Sequence, residues 1–200
     1  FNLAGRVDRL VLKKTIDMIS HTGNGVTQAT ICVNLSGQSI GDRSFHRDAS
    51  DLLNRTPQEV RQRLCLEITE TAAITNMADA IQFASQVRQL GVSIALDDFG
   101  AGTSSFGYLR HLPADVLKID GQFIQGLLDD KLQEATVRSF IEAGRIMNLK
   151  IVAEYVSNKE LAEKVTRLGV DYGQGFYFHQ PEPFADWLYR EACLKQGLQV

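Results

Sequence analysis

Asp97 and Asp98 stand side by side where the apolar run Ser-Ile-Ala-Leu (93–96) meets the glycine-rich turn Phe-Gly-Ala-Gly (99–102). Adjacent like charges cost least when a cation sits between them or solvent separates them. Taken alone, an Asp pair before Phe-Gly also suits an ordinary turn. The same arrangement recurs along the chain, however. Asn34 closes the β-rich run 29–36, Glu67 lies near the end of 64–69 with Glu70 just beyond, Lys118 and Asp120 end 115–120, Glu154 ends 150–154, and Gln174 ends 170–175. Carboxylate and amide oxygens are hard ligands suited to Mg²⁺ or Mn²⁺. Asp97 and Asp98 therefore read as ligands that bridge or flank two metal ions. Lys118, set between Leu117 and Ile119, calls for a carboxylate or phosphate partner.

These residues need elements to hold them. Apolar side chains at helical spacing mark a helix over 6–20 (Val7, Leu10, Val11, Ile16, Ile19), and helical patterns follow at 45–54, 58–62, 76–90, 131–148, 158–168 and 183–195. They alternate with the short apolar runs, which predicts a parallel sheet with covering helices. A doubly wound open sheet and a (β/α)8 barrel both fit that alternation. The chain has neither GxGxxG nor GxxxxGK[ST], the phosphate-binding signatures of open nucleotide-binding sheets. In a barrel all strand C-termini converge on one face, where such folds place their active sites, and the strand-end polar residues favour that choice.

Bulk properties narrow the function. Two hundred residues, 44% hydrophobic and 22% charged with net charge −3, describe one globular domain with a sizeable core. No basic stripe follows the chain, which argues against a nucleic-acid polymer as partner. Three dispersed cysteines, Cys32, Cys65 and Cys193, form no disulfide framework or zinc motif. Cys32 and Cys65 read as core fillers, and the cytoplasm is the natural compartment. His21, His46, His111 and His179 lie in loop-like contexts at no ligand spacing and read as surface residues. No apolar run reaches membrane-spanning length and no signal peptide opens the chain. Phe1 onward reads as the entry to a helix, so further sequence is expected upstream.

The segments Asn-Leu-Ser (34–36), Leu-Glu-Ile-Thr-Glu-Thr (66–71), Asp-Asp-Phe-Gly-Ala-Gly-Thr-Ser-Ser (97–105), Leu-Lys-Ile-Asp (117–120), Ala-Glu-Tyr-Val-Ser (153–157) and Gly-Val-Asp-Tyr-Gly-Gln-Gly-Phe (169–176) resemble, in order and spacing, the EAL-domain family of bacterial cyclic di-GMP phosphodiesterases. The resemblance covers essentially all 200 residues. It implies an α/β fold, a modified (β/α)8 TIM-like barrel, of which residues 1–200 form the C-terminal three-quarters to four-fifths. The first strands and the Glu-Ala-Leu signature would lie before Phe1. The implied activity is metal-dependent hydrolysis of cyclic di-GMP to linear pGpG. The alternative is a degenerate domain that acts as a cyclic di-GMP receptor or protein-interaction module.

The resemblance assigns Asn34, Glu67, Asp97, Asp98 and Glu154 to two Mg²⁺ or Mn²⁺ ions. Lys118 would hold the attacking water or the phosphate, Glu154 would activate that water, and Gln174 would complete the polar floor. Lys118, Asp120 and Pro181 would contact substrate. Glu70 would anchor loop 99–107, made mobile by Gly100 and Gly102. Asp98 and Lys118 are expected to point into a solvated mouth and to be dispensable for folding. Implied partners are cyclic di-GMP, a second copy in a homodimer, and upstream sensory or cyclase-like domains. The implied location is the cytoplasm, including the cytoplasmic part of a larger membrane-bound protein. Three positions depart from the family pattern: Thr103 stands where an aromatic is usual, and Tyr155 and Ser157 replace the Gly and the second Glu of Ala-Glu-Gly-Val-Glu.

Overall fold

The computed structural model describes residues 3–21, 29–102 and 107–195. Its centre is a six-stranded sheet, all parallel, in which β1 (Ile31–Leu35), β2 (Leu64–Thr69), β3 (Ser93–Phe99), β4 (Val116–Ile119), β5 (Lys150–Ala153) and β6 (Tyr172–Gly173) follow one another in chain order. The order never reverses. A doubly wound sheet requires a reversal, so the topology is that of a barrel wall.

The helices are α1 (Leu3–His21) before the first strand, α2 (Gly37–Ile40), α3 (Arg43–Asn54), α4 (Gln58–Arg61), α5 (Glu70–Thr75), α6 (Met77–Gln89), α7 (Gly121–Gln125), α8 (Lys131–Ile146) and α9 (Lys159–Leu168) between strands, and α10 (Phe184–Lys195) after the last. Their ends are written in the sequence. Asp42 caps α3 by accepting from the Ser44 N–H, Asp130 caps α8 through Leu132 and Gln133, and Asn158 caps α9 through Leu161. Such caps satisfy donors that the first helical turn leaves open, at about 1 kcal/mol each. Gly169 ends α9 with φ +86°, the left-handed conformation that glycine adopts without steric cost.

Strand side chains alternate between two faces. On the outer face Val33, Leu35, Leu66, Ile68, Ile94, Leu96, Leu117, Ile119 and Ile151 join one apolar core with the helices, which contribute Leu12, Ile16, Phe45, Phe83, Val137, Phe140 and Leu161. The inner face carries Cys32, Cys65, Glu67, Ala95, Lys118, Val152 and Gln174, which border a concavity of about 380 Å³. One face builds the core and the other builds the cavity, which leaves the inner positions open to chemistry.

Three short helices, α2, α5 and α7, are absent from the sequence-derived pattern because each is too short to show a helical period. They carry cap signals instead: Ser36, Thr69 and Asp120 each accept a hydrogen bond from a backbone N–H in the turn that follows. Two further expectations need correction. His46 is not a surface residue. It is buried in α3, its Nε2 lies 2.9 Å from the Ile40 carbonyl oxygen, and its ring stacks on Phe83. Cys32 is not a core filler: it lies exposed on the inner face, whereas Cys65 is buried. The departure at Thr103 and residues 103–106 of the expected loop lie outside the described residues.

Candidate metal centre

Lys118 occupies the middle of the cluster. Its Nζ lies 2.7 Å from Asp97 Oδ1, 2.8 Å from Glu154 Oε1 and 3.2 Å from Glu67 Oε2. Adjacent strands set these contacts: Glu67 lies one residue short of Ile68, which pairs with Leu96, and Ile119 of β4 pairs with Ala153, the residue before Glu154. Lys118 is only 4% exposed and Glu67 5%. The expectation of a solvated mouth around Lys118 is therefore corrected, because its ammonium is enclosed by the carboxylates of three neighbouring strand ends.

Asp98 poses a parity problem. Asp97 faces inward, so a regular strand would turn Asp98 outward into the helix layer. The β3–β4 register shifts between Leu96 and Phe99, and Asp98 adopts φ +55°. This bulge re-aims the side chain. Carboxylate oxygens of Asp97, Asp98 and Glu154 consequently fall within 4.8 Å of one another. The neighbouring acids are adjacent in space as well as in sequence because the strand is irregular at that point.

The electrostatics follow from this crowding. Burial pushes the Asp98 carboxyl above its ordinary value, and the charges of Asp97 and Asp120 push it further. Burial likewise raises Glu154, against the opposing pull of its hydrogen bond from Lys118. Burial by itself would lower Lys118, but hydrogen bonds to Asp97 and Glu154 and the charge of Glu67 outweigh it and hold the ammonium above the usual lysine value. Three carboxylates, those of Glu67, Asp97 and Glu154, share one ammonium, and Asp98 adds a fourth negative charge beside Asp97 and Glu154. The donor set is all oxygen and its negative charge is under-compensated, so the residues present fit a hard divalent cation.

The other candidate residues take varied positions. Asn34 pairs with Glu67 in the β1–β2 register, on the same inner face but at an exposed edge strand. Gln174 borders the concavity together with Glu67 and Lys118. Asp120 caps α7, accepting from the Gln122 N–H, and its charge reaches Asp98. Pro181 is exposed in the connection between β6 and α10. Glu70, 1% exposed at the start of α5, accepts from the N–H groups of Gly100 (2.9 Å) and Gly102 (3.3 Å) through Oε2. Gly100 has φ +98°, and an added Cβ would lie 2.6 Å from the Phe123 ring, so the turn after β3 accepts only glycine there.

Asp8 is a positioning residue that the sequence reading did not single out. Its Oδ2 accepts from Ser36 N–H, Ser36 Oγ–H and Ser39 Oγ–H, tying α1 to the end of β1 beside Asn34. The signal was present: an acid on the buried face of a helix needs polar partners.

Comparison with known proteins identifies the family and the fold. The sequence profile described as the EAL domain matches residues 1–181. The chain is 36% identical over 187 residues to the cyclic di-GMP phosphodiesterase PdeA of Borreliella burgdorferi, covering 92% of this chain and 27% of that protein. It is 36% identical over 189 residues to the cyclic di-GMP phosphodiesterase PdeB of Shewanella oneidensis, covering 94% of this chain and 22% of that protein. It thus spans about a quarter of the length of these curated relatives. Among solved structures, the PaMucR phosphodiesterase in its c-di-GMP complex superposes with a TM-score of 0.81 at 34% identity, over 91% of this chain and 74% of that one. The EAL domain of Mycobacterium smegmatis DcpA superposes at 0.83 with 28% identity, over 98% and 87%. The chain belongs to the EAL domain family.

Proposed function

We propose that this chain carries the catalytic face of a domain that hydrolyses cyclic di-GMP to linear pGpG. The observation that supports the reading most directly is the convergence of Asp97, Asp98 and Glu154 beside Lys118 at the C-terminal ends of β3, β4 and β5. In this reading Asp97, Asp98 and Glu154 hold divalent cations, Mg²⁺ or Mn²⁺, with Glu67 and Asn34 flanking them from β2 and β1. When bound, such ions polarise a phosphodiester and lower the pKa of a coordinated water.

The chain's own residues do the rest. Lys118 presents a fixed positive charge toward the scissile phosphate, and its carboxylate partners keep it protonated. Glu154, raised by burial, is placed beside Lys118 to accept a proton from an attacking water. Gln174, Asp120 and Pro181 contribute to the substrate-facing surface. Glu70 holds Gly100 and Gly102 and so fixes the turn that carries Asp97 and Asp98. The domain functions as a homodimer, joined to upstream sensory or cyclase-like domains, on the cytoplasmic side. Among the described residues no helix is long and apolar enough to cross a membrane.

The test is chromatographic. The longer protein that contains this chain is incubated with cyclic di-GMP and Mg²⁺ or Mn²⁺, and pGpG is measured with and without chelator. Metal-dependent appearance of pGpG is the expected result. Tight cyclic di-GMP binding with no product under any metal would overturn the hydrolase reading and make the domain a receptor.

A further inference from the structure

The inner face holds a second pair of side chains beneath the carboxylates. In the β1–β2 register Cys32 pairs directly with Cys65, as Asn34 pairs with Glu67 two residues further along. Since alternate residues share a face, the two cysteines form the layer below Asn34 and Glu67. Both border the same concavity as Glu67 and Lys118, next to the small side chains of Ser93 and Ala95. Cys32 is exposed, whereas Cys65 is buried. We propose that Cys32 and Cys65 form a two-thiol clip that a single thiophilic atom, such as a soft metal ion or a trivalent arsenical, bridges.

Three features support this. Directly paired positions on neighbouring strands lie about 4.8 Å apart along the sheet, so two thiols on one face sit within the span of one bridging atom. The donors are sulfur, which selects soft centres, whereas the layer above offers only oxygen, which selects hard ones. The exposed Cys32 supplies the first attachment and Cys65 the second, now intramolecular. Bridging joins β1 to β2 beneath Asn34 and Glu67, and so couples thiophile exposure to the geometry of the metal centre. The inference does not depend on the hydrolase reading.

With phenylarsine oxide as probe the chemistry balances without any redox change. Two S–H and one As=O bond are lost, two S–As bonds form, and both protons leave with the arsenic-bound oxygen as one water. The experiment uses a Cys193→Ser background, which removes the third thiol. Intact-mass measurement of the folded protein should show one phenylarsenic per chain, retained in excess monothiol and released by 2,3-dimercaptopropanol. Retention should fall by about 10²-fold or more in Cys32→Ser and Cys65→Ala, since each loses the second, intramolecular attachment. Cys32 is exposed, so its variant reports on the clip even if the Cys65 variant is destabilised. An adduct that forms only in denaturant, or one retained equally in Cys32→Ser, would overturn the proposal.

Discussion

At the scale of single residues, Asp98 and Lys118 hold opposite positions in one charge balance. Asp98 lies in the left-handed region, a conformation that costs a non-glycine residue about 1–2 kcal/mol. Its carboxylate stands beside two others. Asp98→Asn should therefore leave the metal-free protein as stable as wild type or more so, because a repulsive charge is gone. The same change should remove most of the stabilisation by Mg²⁺ or Mn²⁺, which for wild type amounts to about 2.7 kcal/mol at a hundredfold excess over Kd. Thermal melts with and without metal measure both effects. In the longer protein the same variant should lose on the order of 10²–10³ in turnover. Lys118 behaves differently. Lys118→Met leaves Glu67, Asp97 and Glu154 facing one another without their shared cation. Removing one partner of a buried ion pair costs about 3–5 kcal/mol. Urea denaturation should show that loss, and saturating Mn²⁺ should recover part of it.

At the scale of elements, the connections after β2, β3 and β5 decide where the site's ligands point. Glu70 opens α5 and reaches across to the turn after β3, where its Oε2 accepts two N–H groups. Glu70→Ala should remove the charged acceptor that these two N–H groups share and cost about 2–3 kcal/mol. The local readout is amide exchange, which should accelerate at Gly100 and Gly102 more than in the body of β3. The connection after β5 carries a different tension. Tyr155 follows Glu154 with φ +57°, and its side chain is largely exposed. A β-carbon in that conformation is unfavourable, and little packing offsets it. Tyr155→Gly should raise stability by about 1 kcal/mol, read as an increase in Tm. No change, or a decrease, would mean that the ring's own contacts or glycine's unfolded-state entropy outweigh the relieved strain.

At the scale of the whole molecule, β1 and β6 are the two ends of the sheet, and among the described residues neither has a second strand beside it. Next to β6 the large rings of Tyr172, Phe176, Tyr177 and Phe178 are exposed. Unpaired strand edges and exposed apolar side chains both favour association. The isolated 200-residue chain should accordingly show concentration-dependent association in light scattering. A monodisperse monomer at all concentrations would mean that the edges are covered within the chain. The same openness leads to the expectation that the chain alone turns over cyclic di-GMP more slowly than the longer protein, at matched metal and substrate.

The sequence by itself determined the alternation of strands and helices, the parallel sheet, and the gathering of polar residues at or next to the strand C-termini. These depend on local signals: apolar period, caps and glycine at turns. Leu64–Thr69 and Lys159–Leu168 fall where those signals place them. Family membership was equally legible, because motif order and spacing survive without knowledge of contacts. The tertiary structure alone decided that Asp98 turns inward, since the bulge arises from pairing β3 with β4 and leaves no mark on strand periodicity. It also decided that Lys118 is enclosed, that His46 is buried against Phe83, and that Cys32 faces the cavity beside Cys65. Each of these depends on residues far apart in the chain, as Lys118 and Glu67 are by 51 positions. Register between distant strands sets which side chains meet, and no single segment contains that information.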